Sequence, residues 1–340
     1  MLTIILAILV FCLLITAHEF GHFITAKMFG VTVHEFAIGM GPAIFKKQGR
    51  ETLYSVRAIP IGGFCKMEGE DEQSENEGAF NNKNRLQKII ILAAGAFMNL
   101  VTGFLIFVII MFQSQQIRIS KVEDVMENYP AYGVLQPGDE ITKVNGVRVY
   151  TNSELGTEIS RNGENEATLT VKRGSEIKNI NLTPKKDEKG QLLVGIKTAA
   201  KDLNFGNRFF YAYRNTQSFA KLILVSVGDL VTGKVGLNNL SGPAGIVQEI
   251  GNAAQTSQQQ QSAIPFLTFI AFITINLGVF NLLPIPALDG GRIFFVLVSA
   301  VIRRDIPPEK EGIVHFIGLI LLFGLIIYAT GNDLTRIFKG

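Results

Sequence analysis

An H-E-x-x-H motif lies inside the first long apolar run of the chain. Apolar residues from Leu2 to Ile15 lead directly into His18, Glu19 and His22. A charged side chain near the middle of a bilayer costs about 2.5–3.5 kcal/mol on insertion scales, so ionisable residues there are by default functional and face a protein interior. The motif therefore predicts a reactive site within a membrane-embedded helix.

The composition is typical of an integral membrane protein. The chain has 340 residues, of which 47% are hydrophobic and only 18% are charged, and its mean hydropathy is +0.28. A net charge of +3 without a basic block indicates no nucleic-acid partner. Cys12 and Cys65 are too few for a disulfide framework and form no C-x-x-C pair, so we interpret both as small apolar side chains.

Four segments are apolar and long enough to cross the membrane as helices, which takes roughly 20 residues each. They are residues 2–23, 89–112, 264–283 and 313–330. The first lacks the basic start and the small-residue cleavage site of a signal peptide, so we expect it to be retained.

Lysine and arginine set the predicted orientation. They are concentrated between the first and second segments and between the third and fourth. By the positive-inside rule both connections are cytoplasmic, which leaves the long insert at residues 113–263 outside. Arg336 and Lys339, after the last segment, oppose this assignment. The same topology brings the motif level with the cytoplasmic end of the third segment.

The outer insert begins as a small mixed α/β domain. Alternating apolar residues predict strands at 117–122, 140–144, 167–171 and 177–182, and a helix is predicted at 153–161. The run from Tyr132 to Gly146, with Pro-Gly-Asp at its centre, resembles the PDZ signature of bacterial membrane proteases. Since PDZ domains add an extended peptide to a sheet edge, the resemblance implies peptide binding or size filtering. A small β domain with an inert groove is the alternative.

Two further segments complete the insert. Residues 207–231 carry an apolar stripe at helical spacing, interrupted by Lys221 and Asp229, which predicts an amphipathic helix rather than a span. It either lies in the membrane interface or packs on the PDZ domain. The glutamine-rich residues 253–262 indicate a linker.

The spacing of the motif predicts a zinc site. Side chains four residues apart lie on one face of a helix, about 5–6 Å apart at Cβ, so His18 and His22 can bind one Zn²⁺. Because zinc lowers the pKa of bound water to about 7, a nearby carboxylate can take its proton as the water attacks a carbonyl. Glu19 is therefore predicted to be the general base. A structural histidine pair on a polar helix face is the alternative.

Catalytic zinc requires a third protein ligand and one open position. His34 and His315 are candidates, but neither lies in a recognisable motif. Asp289 is the better candidate, because Pro284 and Pro286 break the third apolar segment and two glycines follow the carboxylate. Irregular backbone at membrane depth occurs only where it is buried in protein or lines a wet cavity. A simple helix N-cap is the other explanation for this aspartate.

Together these motifs resemble the bacterial site-2 protease family, intramembrane zinc metalloproteases of the RseP/RasP type. The H-E-F-G-H sequence at residues 18–22 matches the family's zinc motif, and residues 281–291 match N-x-x-P-x-P-x-L-D-G-G at every fixed position. The likeness extends to residues 59–64, the PDZ run and residues 240–246, so it covers nearly the whole chain. The departures are Ala96, where the family commonly has proline, and a single PDZ domain where some members have two.

The resemblance implies a role for each matching residue. His18, His22 and Asp289 would bind Zn²⁺, Glu19 would be the base, and Asn281 would bind the backbone of the substrate. Without the resemblance, the residues alone leave the third zinc ligand open.

A protease that cuts a transmembrane helix must unwind it and replace its backbone hydrogen bonds. Residues 52–67 predict a short cytoplasmic-side hairpin whose edge can pair with extended substrate, although an ordinary hairpin fits the residues equally well. Asn99, in the second segment, either points into the site or packs helices together. We assign the substrate-binding site to six residues: Asn281, Pro284, Pro286, Ile61, Gly62 and Gly63.

The expected fold is a polytopic α-helical membrane protein with four transmembrane helices, an inserted extracytoplasmic mixed α/β PDZ domain and a membrane-associated β-hairpin. Residues 1–112 hold the first two spans, the zinc motif and the hairpin, and residues 113–200 form the PDZ domain. Residues 201–262 form an amphipathic helical linker region, and residues 263–340 hold the last two spans and the L-D-G-G motif.

The predicted function is zinc-dependent cleavage of transmembrane segments in the bacterial plasma (inner) membrane, with the active site near the cytoplasmic side. The resemblance implies single-span membrane proteins as substrates, shortened first by another protease. Anti-sigma-factor-like proteins or remnant signal peptides are the implied classes, in regulated intramembrane proteolysis. A non-catalytic PDZ-bearing scaffold with a vestigial metal site is the alternative, but it has no use for a buried base. A cation transporter would not explain the PDZ domain.

Overall fold

The computed structural model describes residues 2–70, 72–187, 190–304 and 306–339, and the side chains at 61, 239, 308 and 336–339 lie outside this description. The helices are α1 (Leu2–Met28), α2 (Arg85–Gln113), α3 (Asn152–Arg161), α4 (Phe205–Val231), α5 (Pro243–Gln259), α6 (Ile264–Leu282), α7 (Asp289–Ile302) and α8 (Pro308–Lys339). The strands are β1 (Val33–Gln48), β2 (Leu53–Met67), β3 (Gln116–Val125), β4 (Glu140–Val144), β5 (Val147–Arg148), β6 (Ala167–Arg173), β7 (Glu176–Leu182), β8 (Lys185–Lys186), β9 (Leu192–Leu193) and β10 (Ile196–Asp202).

The chain divides into two compact units. One unit consists of Met1–Phe107 together with Phe219–Gly340, and the other is Val108–Ser218. Four helices in the described part of the chain are long and apolar enough to cross a membrane, and each overlaps one of the predicted segments. They are Leu2–Met28, Arg85–Gln113, Ile264–Leu282 and Glu309–Thr335. Many of their large apolar side chains are exposed, as expected for helices that face lipid.

Small residues bring three of these helices into backbone contact. A Cβ atom on Gly21 of α1 would lie 2.3 Å from the carbonyl oxygen of Ala94 in α2. A Cβ atom on Gly278 of α6 would lie 2.9 Å from the carbonyl oxygen of Ala96. Close packing of this kind holds helices together in lipid, where burial of apolar surface gives little. α1 and α6 therefore both rest directly on α2.

β1 and β2 pair into one sheet in which each strand doubles back on itself. The bends lie at glycines in the left-handed region, Gly39 with φ 85° and Gly62 with φ 93°. Glycine adopts this conformation without the steric cost that a side chain brings. The paired segments lie side by side in the order 63–67, 33–38, 53–57 and 43–48.

This sheet differs from the predicted hairpin. The sequence predicts that residues 52–67 form a hairpin by themselves, but they form the single bent strand β2, whose partner is β1. An isolated two-stranded hairpin is marginally stable, and the longer partner satisfies more of the backbone groups of β2. The sheet ends in an edge segment, residues 59–67, whose outer side has no strand partner among the described residues.

The predicted linker at residues 253–262 is wrong, because most of it belongs to helix α5. Helix formers such as alanine and glutamine fill this segment, and Ile250 of α5 is fully buried. α8 supports the start of the helix: the Gly245 N–H donates to Asp333 Oδ2 at 2.7 Å. A Cβ atom on Gly242 would lie 2.7 Å from the backbone of α8. Tertiary packing, rather than composition, therefore sets the structure of this segment.

The unit Val108–Ser218 is built on a sheet with the strand order β10-β3-β4-β6-β7, and β5 pairs with β4. The four predicted strands correspond to β3, β4, β6 and β7, and the predicted helix corresponds to α3. Buried apolar residues such as Ile141, Leu155 and Leu169 form the core. A capping box formed by Thr151 and Glu154 begins α3.

Asp139, in the Pro-Gly-Asp turn, is a buried anchor of this unit. Asp139 is only 1% exposed. It accepts hydrogen bonds from the Arg173 guanidinium at 2.8 and 2.7 Å and from the Gln136 N–H at 2.9 Å. The Arg173 guanidinium lowers the pKa of Asp139 below its ordinary value. The turn of the predicted PDZ signature is therefore fixed by a charge-assisted pair.

Replacing this carboxylate is expected to loosen the unit. Asp139→Asn should lower its free energy of unfolding by on the order of 2 kcal/mol, the usual effect for hydrogen bonds to charged groups. Because the folded pKa lies below the unfolded value of about 3.9, the wild-type stabilisation is present above roughly pH 4 and is lost as the pH falls through the lowered value. Hydrogen-exchange protection of β4 and β6 in the full chain measures both effects. Glu140→Gln, at an exposed neighbour, is the control, and equal protection in the two variants would contradict the expectation.

Candidate metal centre

Two histidines of α1 and the first residue of α7 converge on one point. His18 Nε2 lies 3.2 Å from Asp289 Oδ2, and His22 Nε2 lies 3.4 Å from the same oxygen. The two Nε2 atoms are 3.2 Å apart. Both histidines are buried, so the three ligand atoms meet inside the protein although the aspartate lies 267 positions after the nearer histidine in the sequence.

These separations fit a zinc site. Ligand atoms placed about 2.0–2.1 Å from zinc lie ~3.3 Å from one another at tetrahedral angles. Asp289 Oδ2 is buried and, apart from the two imidazoles, has no hydrogen-bond partner. Burial of a carboxylate oxygen in this state is costly unless a cation compensates it. The three residues can therefore hold zinc and leave a fourth position open.

α8 holds the loop that carries Asp289. Ala287 lies in the left-handed region, with φ 77°, which is uncommon for a residue with a side chain. His315 Nδ1 accepts a hydrogen bond from the Ala287 N–H at 2.9 Å. A Cβ atom on Gly318 would lie 2.4 Å from Pro286, so position 318 of α8 must be glycine for the loop to pack against the helix. α8 therefore fixes the position of the aspartate.

Neither of the other histidine candidates joins the metal-binding group. His315 faces the loop, and His34 pairs with Glu68 on the sheet. Among the described residues, the group of metal-ligating side chains at this site consists of His18, His22 and Asp289. Of the three candidates that the residues alone leave open, the geometry favours the aspartate.

One face of α2 backs the histidine pair. The His22 Nδ1–H donates to the Ile91 carbonyl oxygen at 2.9 Å, which leaves Nε2 free for a metal. A Cβ atom on Gly95 would lie 2.3 Å from His22 Nε2 and 2.7 Å from His18 Cε1. Sequence reasoning missed Gly95, although a glycine one helical turn before the polar Asn99 in an apolar helix is a usable signal. Only glycine leaves room for both imidazoles here.

Glu19 adjoins both the metal-binding group and the sheet. It lies near enough to all three ligand residues to interact with them electrostatically, and within hydrogen-bonding reach of the Cys65 N–H. A Cβ atom on Gly63 would lie 3.5 Å from Glu19 Cγ. Gly62 forms the bend just before this contact, and the side chain of Ile61 lies outside the described residues. The edge segment therefore runs past the predicted base.

The remaining predicted substrate-binding residues precede the aspartate along the chain. Asn281 is buried in the last turn of α6. Pro284 and Pro286 lie in the loop between α6 and α7, where Pro286 packs on α8. These three residues share the loop region of Asp289, whereas Gly62 and Gly63 approach from the sheet.

An ion pair ties the sheet to α7. Arg292, three residues after the aspartate, donates to Glu70 Oε1 at 2.5 Å. Glu70 follows the end of β2. The helix that begins with Asp289 and the strand that contains the edge segment are therefore linked near the metal-binding group.

The chain is similar to several known proteins. The chain is 37% identical to a Clostridium perfringens protein with the provisional name zinc metalloprotease, over 97% of this chain and 98% of that one. It is 29% identical to the regulator of sigma-W protease RasP of Bacillus subtilis, over 99% of each chain. A PDZ domain of an SdrC-like protein from Listeria innocua is 27% identical, covering 24% of this chain and 92% of that domain, with a TM-score of 0.22.

The family model of peptidase family M50 matches residues 6–325, and the chain belongs to this family. It is a multi-pass membrane protein and an intramembrane zinc metalloprotease. The predictions of the site-2 protease family, of an enzyme and of a zinc cofactor are thereby confirmed. The alternative of a non-catalytic scaffold is set aside.

Proposed function

We propose that His18, His22 and Asp289 bind the catalytic zinc and that Glu19 is the general base. The observation that carries this proposal is the convergence of three ligand atoms within 3.2–3.4 Å of one another. When bound, zinc supplies a Lewis acid and lowers the pKa of water. The Glu19 carboxylate takes the proton of the attacking water and gives it to the leaving amide nitrogen.

The edge segment, residues 59–67, is proposed to pair with the unwound substrate. Its outer side is free of strand partners among the described residues, and the Cys65 N–H faces Glu19 there. Since alternate residues of a strand direct their backbone groups to the same side, Gly63 presents its N–H along the same edge. Gly62 and Gly63 lack side chains, which lets a second backbone approach closely. Asn281, with the loop of Pro284 and Pro286 that leads to Asp289, is proposed to contact the substrate as well.

Substrate backbone esters test this pairing without altering the enzyme. Replacing single amides of a synthetic transmembrane substrate by esters removes one N–H at a time. Where a removed N–H bonds to the edge, we expect the cleavage rate to fall about 3- to 10-fold, in line with ~0.5–1.5 kcal/mol per hydrogen bond. The effect should alternate with a period of two residues, as strand pairing requires. Uniform effects along the substrate would contradict strand addition.

The topology and the domain divisions are also proposals. Four spans would leave the PDZ domain, residues 113–200, outside the cell and the zinc near the cytoplasmic side. The distribution of lysine and arginine supports this orientation. The divisions at 1–112, 113–200, 201–262 and 263–340 follow from it.

Cysteine labelling of intact cells tests the orientation. In a background without Cys12 and Cys65, Ser175→Cys in the proposed PDZ domain should react with a membrane-impermeant thiol reagent. Glu75→Cys, after the sheet, should react only once the cells are opened. Both positions are exposed in the structure. The reverse pattern would overturn the topology.

The proposed substrates are single-span membrane proteins that another protease has already shortened. The name of the Bacillus subtilis relative, a regulator of sigma-W protease, supports anti-sigma-factor-like substrates, and remnant signal peptides are the second class. Comparing the membrane proteomes of cells with active enzyme and with Glu19→Gln tests this. A truncated single-span protein should accumulate only with the variant, and the absence of any such protein would count against the proposal.

A further inference from the structure

The side chain of Asn99 lies behind the proposed zinc ligand His18. Asn99 is a polar residue within the apolar helix α2 and is 0% exposed. Its Nδ2 atom is 3.2 Å from His18 Nδ1, and its Oδ1 atom is buried without a hydrogen-bond partner. The other helix in contact here, α6, uses the backbone of Asn99, because Thr274 Oγ1 donates to its carbonyl oxygen at 3.4 Å. The amide side chain is thus directed at the imidazole.

If His18 binds metal through Nε2, the Asn99 amide cannot keep its NH₂ group directed at His18 Nδ1. A neutral imidazole that binds metal through Nε2 carries its proton on Nδ1, so His18 Nδ1 is a donor. An amide NH₂ group is also a donor, and two donors do not bond. Turning the amide by 180° exchanges oxygen and nitrogen at nearly unchanged positions. The carbonyl oxygen then accepts the His18 proton and is no longer unsatisfied.

We propose that Asn99 is a positioning residue: its side-chain oxygen accepts the Nδ1–H of His18 and fixes the tautomer that turns Nε2 toward the metal. The proposal rests on the ligand set proposed above. Outer hydrogen bonds of this kind hold metal-binding histidines in place and raise their basicity.

The spacing along α2 supports this role. The Ile91 carbonyl oxygen orients His22, Gly95 lies against both imidazoles, and Asn99 orients His18. These positions follow at intervals of four residues, so they lie on one face of the helix. α2 is therefore a template for both histidine ligands.

Zinc affinity of the purified full chain, measured by competition with a chelator, tests the proposal. Asn99→Leu keeps the approximate shape but loses the acceptor, and we expect zinc affinity to fall about 10- to 100-fold. Asn99→Asp keeps an acceptor and should bind zinc at least as tightly as the wild type. Thr274→Val, which alters the neighbouring contact to the Asn99 backbone, is the matched control and should leave zinc affinity unchanged.

Cobalt substitution adds a spectroscopic readout that a purely structural role would not change. The visible bands of bound Co²⁺ should shift in Asn99→Leu and stay near those of the wild type in Asn99→Asp. If Asn99→Leu does not fold, Asn99→Ala takes its place against Asn99→Asp. Equal zinc affinity of the acceptor-free and acceptor-bearing variants overturns the proposal.

His18→Ala separates this proposal from the one on which it rests. If His18→Ala lowers zinc affinity while Asn99→Leu does not, the ligand set stands and the role of Asn99 is wrong. If His18→Ala leaves zinc affinity unchanged, the ligand set itself is wrong, and with it the proposed role of Asn99.

Discussion

Glu19→Gln is expected to bind zinc as well as the wild type and to cleave a transmembrane substrate ~10²–10⁴-fold more slowly. Glutamine has nearly the same shape as glutamate but cannot accept the proton of the attacking water. Glu19 is not among the three converging ligand residues, so the metal should remain. Single-turnover cleavage in reconstituted membranes, with elemental analysis of zinc, measures both quantities.

The control for this variant is Glu75→Gln, an exposed change outside the site. It should leave both cleavage and zinc content at the wild-type level. Full activity of Glu19→Gln would remove this residue from the role of base. Loss of zinc from the same variant would instead indicate that Glu19 takes part in metal binding.

Asp289→Ala is expected to weaken zinc binding by more than ~100-fold, because loss of a ligand should cost more than loss of an outer hydrogen bond, which typically costs 10–100-fold. Activity should be lost with the metal. The histidines would remain near each other on α1, but two ligands do not complete a catalytic zinc site. Equilibrium dialysis of the full chain against buffered zinc measures the change.

His34→Ala is the matched control, since residue-based reasoning leaves this histidine open as a third ligand. In the structure it pairs with Glu68, so its removal should leave zinc affinity unchanged. An Asp289→Ala variant that keeps its zinc, or a His34→Ala variant that releases it, would move the third ligand away from α7.

The local half of the metal site follows from the sequence, and the distant half does not. His18 and His22 lie four residues apart on one helix, so helical geometry alone brings them together. Asp289 is separated from them by most of the chain, and its place depends on how α8 holds the loop through His315 and Gly318. No periodicity encodes such a contact. The broken backbone around Asp289 makes it the better candidate among the residues, but His34 and His315 stay open until the family motif is considered.

The fold shows the same division between local and distant information. Strands such as β4 and β7 are predicted from alternating apolar residues and from the turn residues on either side. The sheet of β1 and β2 is harder to predict, because its strands double back at Gly39 and Gly62 and pairing depends on partners far along the chain. α5 was missed because the contact that supports its start comes from Asp333 in α8.

If the edge segment beside Glu19 pairs with substrate as proposed, the pairing has a consequence for which proteins this enzyme can cut. A ladder made of main-chain groups is indifferent to side-chain identity, so it discriminates poorly among sequences. Such pairing requires the substrate helix to break its own intrahelical hydrogen bonds first. Transmembrane segments that unwind easily, because they contain glycine, proline or asparagine, are then the preferred substrates. Leucine-rich spans, which unwind with difficulty, would not be cleaved even when they reach the enzyme.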